Sequence, residues 1–217
     1  MKTAPTTGTA TDGAAARLAL TRYEAATCAR LPSSDRQRDF RAGRLAARRA
    51  VMGFVGRGPS RSMEVRSGVD GFPSLSLLDP SGRWRTTSVE LSISHRDGRA
   101  VAAIARAGVR VGVDLERVGA VPRRLAGHFL TPRELDLAGA GDPTVLWSLK
   151  EAAWKALALG RSLPLKALEL CCDDAGGLRG GLRGVRVRGV FVPMHSRMST
   201  PWPGYHMAMV WTTGGVA

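Results

Sequence analysis

The spacing of apolar residues changes period several times along the chain, and each change marks an element. From 35 to 55, Phe40, Leu45, Val51 and Met52 recur with Ala42, Ala46, Ala47 and Ala50 at helical spacing. Pro32-Ser33-Ser34-Asp35 is a helix-start signal, so a helix over 35–55 is predicted. The Gly-rich stretch from Gly53 to Ser62 reads as a loop, and 63–88 as short extended pieces and turns. From Val89 the period falls to two: Val89, Leu91 and Ile93 share one face, and Ser92 and Ser94 the other. Residues 99–106 follow the turn Asp97-Gly98 and predict a hairpin, and 109–117 predict a further strand. Short helices are expected over 123–130 and from Thr131, which stands as a cap. A helix over about 144–158, closed by Gly160, puts Leu146, Leu149, Ala153, Ala156 and Leu157 on one arc. Strands are expected over 166–172, 183–193 and 205–212, separated by Gly-rich turns over 176–184 and a Pro-rich loop over 193–204.

Each half of the chain therefore offers a helix and then about three strands. The predicted fold is α+β, with two similar subdomains of one helix packed on a roughly three-stranded antiparallel sheet. They span 14–108 and 109–217, after a disordered lead-in over 1–13. No sequence repeat is evident between them. Clefts between such halves are where ligands prefer to bind.

Composition narrows the class. With 217 residues, 44% hydrophobic and 23% charged, the chain has the profile of a soluble globular protein. It contains no run of 18 or more apolar residues, which gives no support for a membrane span. Its start carries no apolar stretch of the secretory kind. Cys28, Cys171 and Cys172 form neither a disulfide framework nor a metal spacing, which fits a reducing, cytoplasmic setting. The net charge of +14, mostly arginine, predicts an anionic partner. Arg41, Arg44 and Arg48 share a face of the first long helix. They read mainly as a solvated basic face, of which a subset turned to a cleft would clamp phosphate.

Three acid–base features stand out. Asp114 and Glu116 project from one face of a strand, about 7 Å apart along it, with Val111, Val113 and Leu115 on the opposite, core-facing side. Such a pair can converge on one hard cation through oxygen ligands. Glu151 and Lys155 lie one turn apart on the second long helix, beside Trp147 and Trp154. Alone they read as a surface ion pair; with Asp114 and Glu116 they offer a third carboxylate and a cation. Ser94-His95 sits where a strand ends, a place suited to binding a phosphate oxygen.

The ordered set of Arg-Ala-Gly-Arg-Leu-Ala-Ala-Arg at 41–48, Ser92-Ile93-Ser94-His95, Gly112-Val113-Asp114-Leu115-Glu116, Phe129-Leu130-Thr131-Pro132-Arg133-Glu134, and Trp147-Ser148-Leu149-Lys150-Glu151-Ala152-Ala153-Trp154-Lys155 resembles the 4′-phosphopantetheinyl transferases. It is similar to the long, monomeric Sfp-type group that serves siderophore and other secondary-metabolite synthases. The resemblance covers about 35–165. It implies two subdomains related by a pseudo-twofold axis, with coenzyme A and Mg²⁺ between them. The implied reaction moves phosphopantetheine from coenzyme A to a serine of an apo acyl or peptidyl carrier protein, acidic around that serine, for polyketide, nonribosomal peptide or fatty-acid synthesis. The other product is 3′,5′-ADP. By position, Asp114, Glu116 and Glu151 match the metal ligands, and Glu151 the base, directly or through a metal-bound water. Lys155 and His95, with Ser94, match the pyrophosphate contacts. Arg44, and more weakly Arg36, match contacts to the 3′-phosphate.

Two departures stand against the pattern. Gly71-Phe72-Pro73 replaces a Gly-Lys-Pro or Gly-Arg-Pro of relatives, and Arg96 replaces a small polar residue. A basic nucleic-acid-binding module built on the helix at 35–55 is the alternative. It explains the charge but leaves the carboxylates without work, and no recognisable reading element accompanies it. An inactive relative is the third reading, opposed by the intact Asp114, Glu116, Glu151 and Lys155.

Overall fold

The computed structural model describes residues 4–15, 20–56, 62–68, 71–159, 163–173 and 177–212. Contacts divide the chain into two units, Met1–Ala107 and Gly108–Ala217. Among the described residues, no helix is long and apolar enough to cross a membrane.

The first unit begins with strand β1 (Thr6–Thr11) and the short helices α1 (Asp12–Ala15) and α2 (Arg22–Ala29), followed by the long helix α3 (Ser34–Val55). Strands β2 (Met63–Ser67), β3 (Pro73–Leu78) and β4 (Trp84–Thr86) make one antiparallel sheet. Strands β5 (Glu90–Arg96) and β6 (Arg99–Ala105) pair with β1 in a second, ordered β1-β6-β5. The hairpin between β5 and β6 turns on Asp97 and Gly98, both at positive φ, the geometry a two-residue turn requires.

The second unit runs through strand β7 (Val111–Arg117), helices α4 (Arg123–Ala126) and α5 (Pro132–Ala138), and the long helix α6 (Thr144–Leu157). Strands β8 (Leu168–Asp173), β9 (Gly177–Val187) and β10 (Val190–Pro193) form one antiparallel sheet, ordered β10-β9-β8. Strands β11 (His195–Ser199) and β12 (Tyr205–Trp211) join β7 in the order β11-β12-β7. Element by element the two units repeat: edge strand, short capped helix, long helix, three-stranded sheet, then two strands that complete the first.

Several expectations change. Of the lead-in expected over 1–13 to be disordered, Thr6–Thr11 is a strand that pairs in full register with β6, from Thr6 against Ile104 to Thr11 against Arg99, and 1–3 lie outside the described residues. Small residues explain the strand, because Gly8 lies against the α3 backbone, where a Cβ would overlap Ala46 O and Ala50 N. The span 183–193 is a hairpin, broken at Arg188 and Gly189, both at positive φ. The Pro-rich loop hides β11, a strand held by backbone pairing to β12 with mostly exposed side chains, which hydrophobic alternation cannot reveal. Helix α6 ends at Ala158 in the left-handed conformation, and Gly160 lies outside the described residues.

The same helix-on-sheet contact recurs in the second unit. Gly112 on β7 lies against α6, where a Cβ would overlap Ala152 O and come to 2.6 Å from Ala156 N. Matching Gly8 to Gly112, Ala46 to Ala152 and Ala50 to Ala156 sets the two frames in register. Arg49 then stands where Lys155 does, and both donate to the carbonyl one residue past the glycine: Arg49 to Thr9 O at 2.6 Å, Lys155 to Val113 O at 3.2 Å.

A second device also repeats. Thr21 caps α2 and Thr131 caps α5, each closing a capping box with a glutamate three residues on, Glu24 and Glu134. Both glutamates are buried. Each accepts a strand amide, Val65 N on Glu24 at 3.1 Å and Leu170 N on Glu134 at 2.8 Å. Each also takes a cation from the long helix, Arg48 at 2.8 Å in the first unit and Lys150 at 2.7 Å in the second.

Candidate functional site

The acid–base group lies on α6 and β7. Pairing with β12 runs the whole length of β7 and fixes its two faces. The face turned to α6 is the one carrying Gly112 and Asp114, which corrects the expectation that the Val111, Val113 and Leu115 side alone faces the core. Both faces of β7 are buried, so period-two alternation could not tell them apart. Asp114 is 4% exposed, and Lys155 Nζ donates to its Oδ1 at 2.7 Å. Glu116, two residues on, is half-buried toward the strand's end.

Glu151 lies on α6, half-buried. Burial pushes its carboxyl above the usual glutamate range; Lys155 opposes the shift and the charge of Asp114 adds to it. Asp114 and Glu151 therefore feel each other's charge, with Lys155 balancing both. Among the described residues no three His, Cys, Asp or Glu side chains are gathered closely enough to hold a metal ion. The donor chemistry nonetheless fits a hard divalent cation: carboxylate oxygens only, two of them on groups in electrostatic opposition.

Trp147 and Trp154 fix this helix. Trp147 packs edge-on against Phe129, with ring centroids 4.5 Å apart, and Trp154 Nε1 donates to Leu163 O at 3.4 Å. The side chain that sequence reasoning missed is Lys150, fully buried and bonded to Glu134 and to Phe129 O. Its signal was present as Leu20-Thr21-Arg22-Tyr23-Glu24 beside Leu130-Thr131-Pro132-Arg133-Glu134, a repeat of five positions with three identities.

The remaining candidates lie in the first unit. Arg36 and His95 line one cleft of about 430 Å³ with Phe40, Arg96 and Asp97. Asp39, absent from the sequence reading, holds this cleft's geometry: its Oδ2 is 3.4 Å from His95 Nδ1 and its Oδ1 accepts Gly98 N at 2.7 Å. Ser94 is buried on β5, directly before exposed His95. Arg44 is turned inward. It stacks 4.0 Å over the Phe40 ring and sits 3.7 Å from Glu24, and burial lowers its pKa. Arg48 is buried on the same glutamate. The expected solvated stripe of Arg41, Arg44 and Arg48 therefore does not form, and the nucleic-acid reading loses two of its three aligned cations.

Comparison of the two frames isolates what is particular to the second unit. Where β7 has Asp114, β1 has Ala10; where α6 has Glu151, α3 has Leu45. Asp114 and Glu151 have no acidic counterpart, whereas Glu116 is matched by Asp12 and Lys155 by Arg49.

Residues 110–193 match the family model of the 4′-phosphopantetheinyl transferase superfamily (ACPS). The match starts just before β7 and takes in Asp114, Glu116, Glu134, Lys150, Glu151 and Lys155, while covering less than half of the chain. The chain is also similar to the crystal structure of Thermotoga maritima holo-[acyl-carrier-protein] synthase (AcpS), with 23% identity and a TM-score of 0.39 over 48% of this chain. It spans 63% of that protein's length. No curated protein matches the chain.

Proposed function

We propose that the protein is a 4′-phosphopantetheinyl transferase that moves phosphopantetheine from coenzyme A to a serine of an apo carrier protein. The observation that carries the reading is the acid–base group on α6 and β7, which lies inside the superfamily match and whose Asp114 and Glu151 are replaced by Ala10 and Leu45 in the otherwise repeated frame of the first unit. In the proposed reaction the serine oxygen attacks the β-phosphorus of the coenzyme A pyrophosphate. A bond forms from that oxygen to phosphorus, the bond to the leaving 3′,5′-ADP breaks, and the serine proton passes to a base.

Glu151 is the proposed base, as a half-buried carboxylate on α6 set beside Asp114 and Lys155. Lys155 is the proposed pyrophosphate contact, with Arg36 and His95 as phosphate contacts from the first unit. Arg44, held inward over Phe40, is proposed to shape that cleft through the ring and not to touch phosphate. Asp114, Glu116 and Glu151 would hold Mg²⁺, which supplies charge neutralisation for the pyrophosphate when bound. We place the enzyme in the Sfp-type branch, acting in the cytoplasm as a monomer. Its carriers would be acidic, matching the net charge of +14.

The test is a loading assay read by intact mass, with purified protein, coenzyme A, Mg²⁺ and several diverse apo carriers. The expected result is a mass gain of one phosphopantetheine on at least one carrier, abolished by EDTA and by Asp114→Ala. No gain on any carrier, together with tight nucleic-acid binding, would sink the reading.

A further inference from the structure

Lys150 precedes Glu151 directly on α6, and no part of it reaches solvent. Its ammonium donates to Glu134 Oε2 at 2.7 Å and to Phe129 O at 2.9 Å. The same Oε2 accepts Thr131 N at 2.7 Å, and Oε1 accepts Leu170 N at 2.8 Å. One carboxylate thus ties together the start of α5, strand β8 and helix α6.

Net stability is a poor account of this arrangement. Exchanging a buried ion pair for apolar side chains of equal volume is often neutral or stabilising. What such a pair does supply is direction. Leu146, Leu149, Ala152, Ala153 and Ala156 give α6 a smooth buried face that sets its depth more than its rotation. Trp147, Trp154 and Lys155 restrain that rotation at other points, and Lys150, bonded at two fixed oxygens, adds a restraint with direction.

The first unit shows the lock by itself. There Glu24 makes the corresponding bonds to Thr21 N, Val65 N and Arg48. In the register set by Gly8 and Gly112, the position of Lys150 is held by Arg44, also against Glu24. The residue after it is Leu45, and the facing strand residue is Ala10, so neither of the positions that carry Glu151 and Asp114 in the second unit is acidic there, although Glu64 accepts from Thr21 Oγ1 beside the lock. Its work there is geometric, and in the second unit the same geometry is applied one residue from Glu151.

We propose that the Glu134–Lys150 pair is a positioning device that fixes the rotation of α6 and so holds Glu151, together with Lys155 on the same helix, against Asp114. The proposal rests on the transferase reading above for what Glu151 does, but not for how it is held. A roll of about 20° would carry a side-chain tip, about 5–6 Å from the helix axis, through about 2 Å. Displacements of about 1 Å can cost about 100-fold in rate.

The test compares E134Q/K150M with wild type and with E24Q. In the double variant Gln keeps an oxygen for Leu170 N but gives up the bond accepted from Thr131 N, and Met fills the volume of Lys150. The expected result is a kcat lower by about 10- to 100-fold, a KM for coenzyme A within about twofold of wild type, and a denaturation midpoint lowered by no more than the loss of that one cap bond. Amide hydrogen exchange should quicken over 148–156 while the β7–β12 pairing stays protected. K150R, which borrows the cation of the first unit's lock, should restore most of kcat. E24Q should lose stability and keep kcat. E134D retains both charges but draws the carboxylate back by one methylene, and makes the same test if the double variant does not fold. A folded double variant with wild-type kcat and wild-type exchange on α6 overturns the proposal. If wild type loads no carrier at all, the transferase reading falls, and the exchange pattern alone decides the positioning claim.

Discussion

Glu151→Gln should lower kcat for carrier loading by about 100- to 10,000-fold, the range expected for loss of a positioned general base. It should do so without unfolding the protein. Gln has the shape of Glu, and the position is half-buried on a helix whose apolar face is untouched. The sign of the stability change follows from the raised pKa. Burial first, and Asp114 second, make the folded state hold the Glu151 proton more tightly than the unfolded chain does. Ionising Glu151 therefore disfavours folding, and the penalty grows as pH rises from the unfolded glutamate value through the folded one. Gln never ionises, so the variant should match wild type in acid and equal or exceed it at neutral pH. Intact-mass kinetics and denaturation midpoints at two pH values check both halves. A variant that is inactive and less stable at neutral pH would mean that Glu151 serves structure, and the base would have to be sought elsewhere.

Much of this architecture could be read from residue pattern, and the failures have definite causes. Helix α3 announces itself through apolar spacing and its Ser33 cap, and α6 through apolar spacing. Strands β5, β6 and β7 follow from alternation and from Asp97-Gly98. Strand β1 escaped because Thr, Gly and Ala carry little apolar signal, and its place is set by how closely Gly8 lets α3 approach. Strand β11 escaped because its side chains are mostly exposed. Which face of β7 meets the helix was also out of reach, since Val111 and Val113 are as buried as Gly112 and Asp114. In the candidate site, Asp114, Glu116, Glu151 and Lys155 stood out as charged residues at telling spacings. Lys150 did not, and Arg44 was read as facing solvent or phosphate, because a helical wheel cannot show that a cation finds a buried carboxylate from a different element. Glu24 and Glu134 supply those carboxylates across separations that no local window spans.

The glycines at the two helix–sheet contacts provide the sharpest structural test. Gly112→Ala should destabilise the second unit by about 3 kcal/mol or more, at or beyond the upper end of ordinary overpacking. The added Cβ meets backbone on α6, namely Ala152 O and Ala156 N, and neither can rotate aside as a side chain would. Helix α6 must therefore lift from β7 as a body. Against a total of about 5–15 kcal/mol for a domain, that is a large fraction. Gly8→Ala meets Ala46 O and Ala50 N on α3 in the same way and should likewise destabilise the first unit. The two variants should part in function. Lifting α6 moves Glu151 and Lys155 away from Asp114, so whatever Gly112→Ala protein remains folded should load carrier far more slowly per molecule. Gly8→Ala moves α3, which carries Leu45 and Arg49 at the corresponding positions but also Arg36 and Phe40 of the proposed phosphate cleft, so its folded fraction should show a raised KM for coenzyme A and keep most of its kcat at saturating coenzyme A. Denaturant titration gives the stabilities, and loading rates normalised to folded protein give the second comparison. Equal losses of kcat in both variants would show that the acid–base group does not depend on the α6–β7 contact, and would undo the division of labour drawn between the repeated frames.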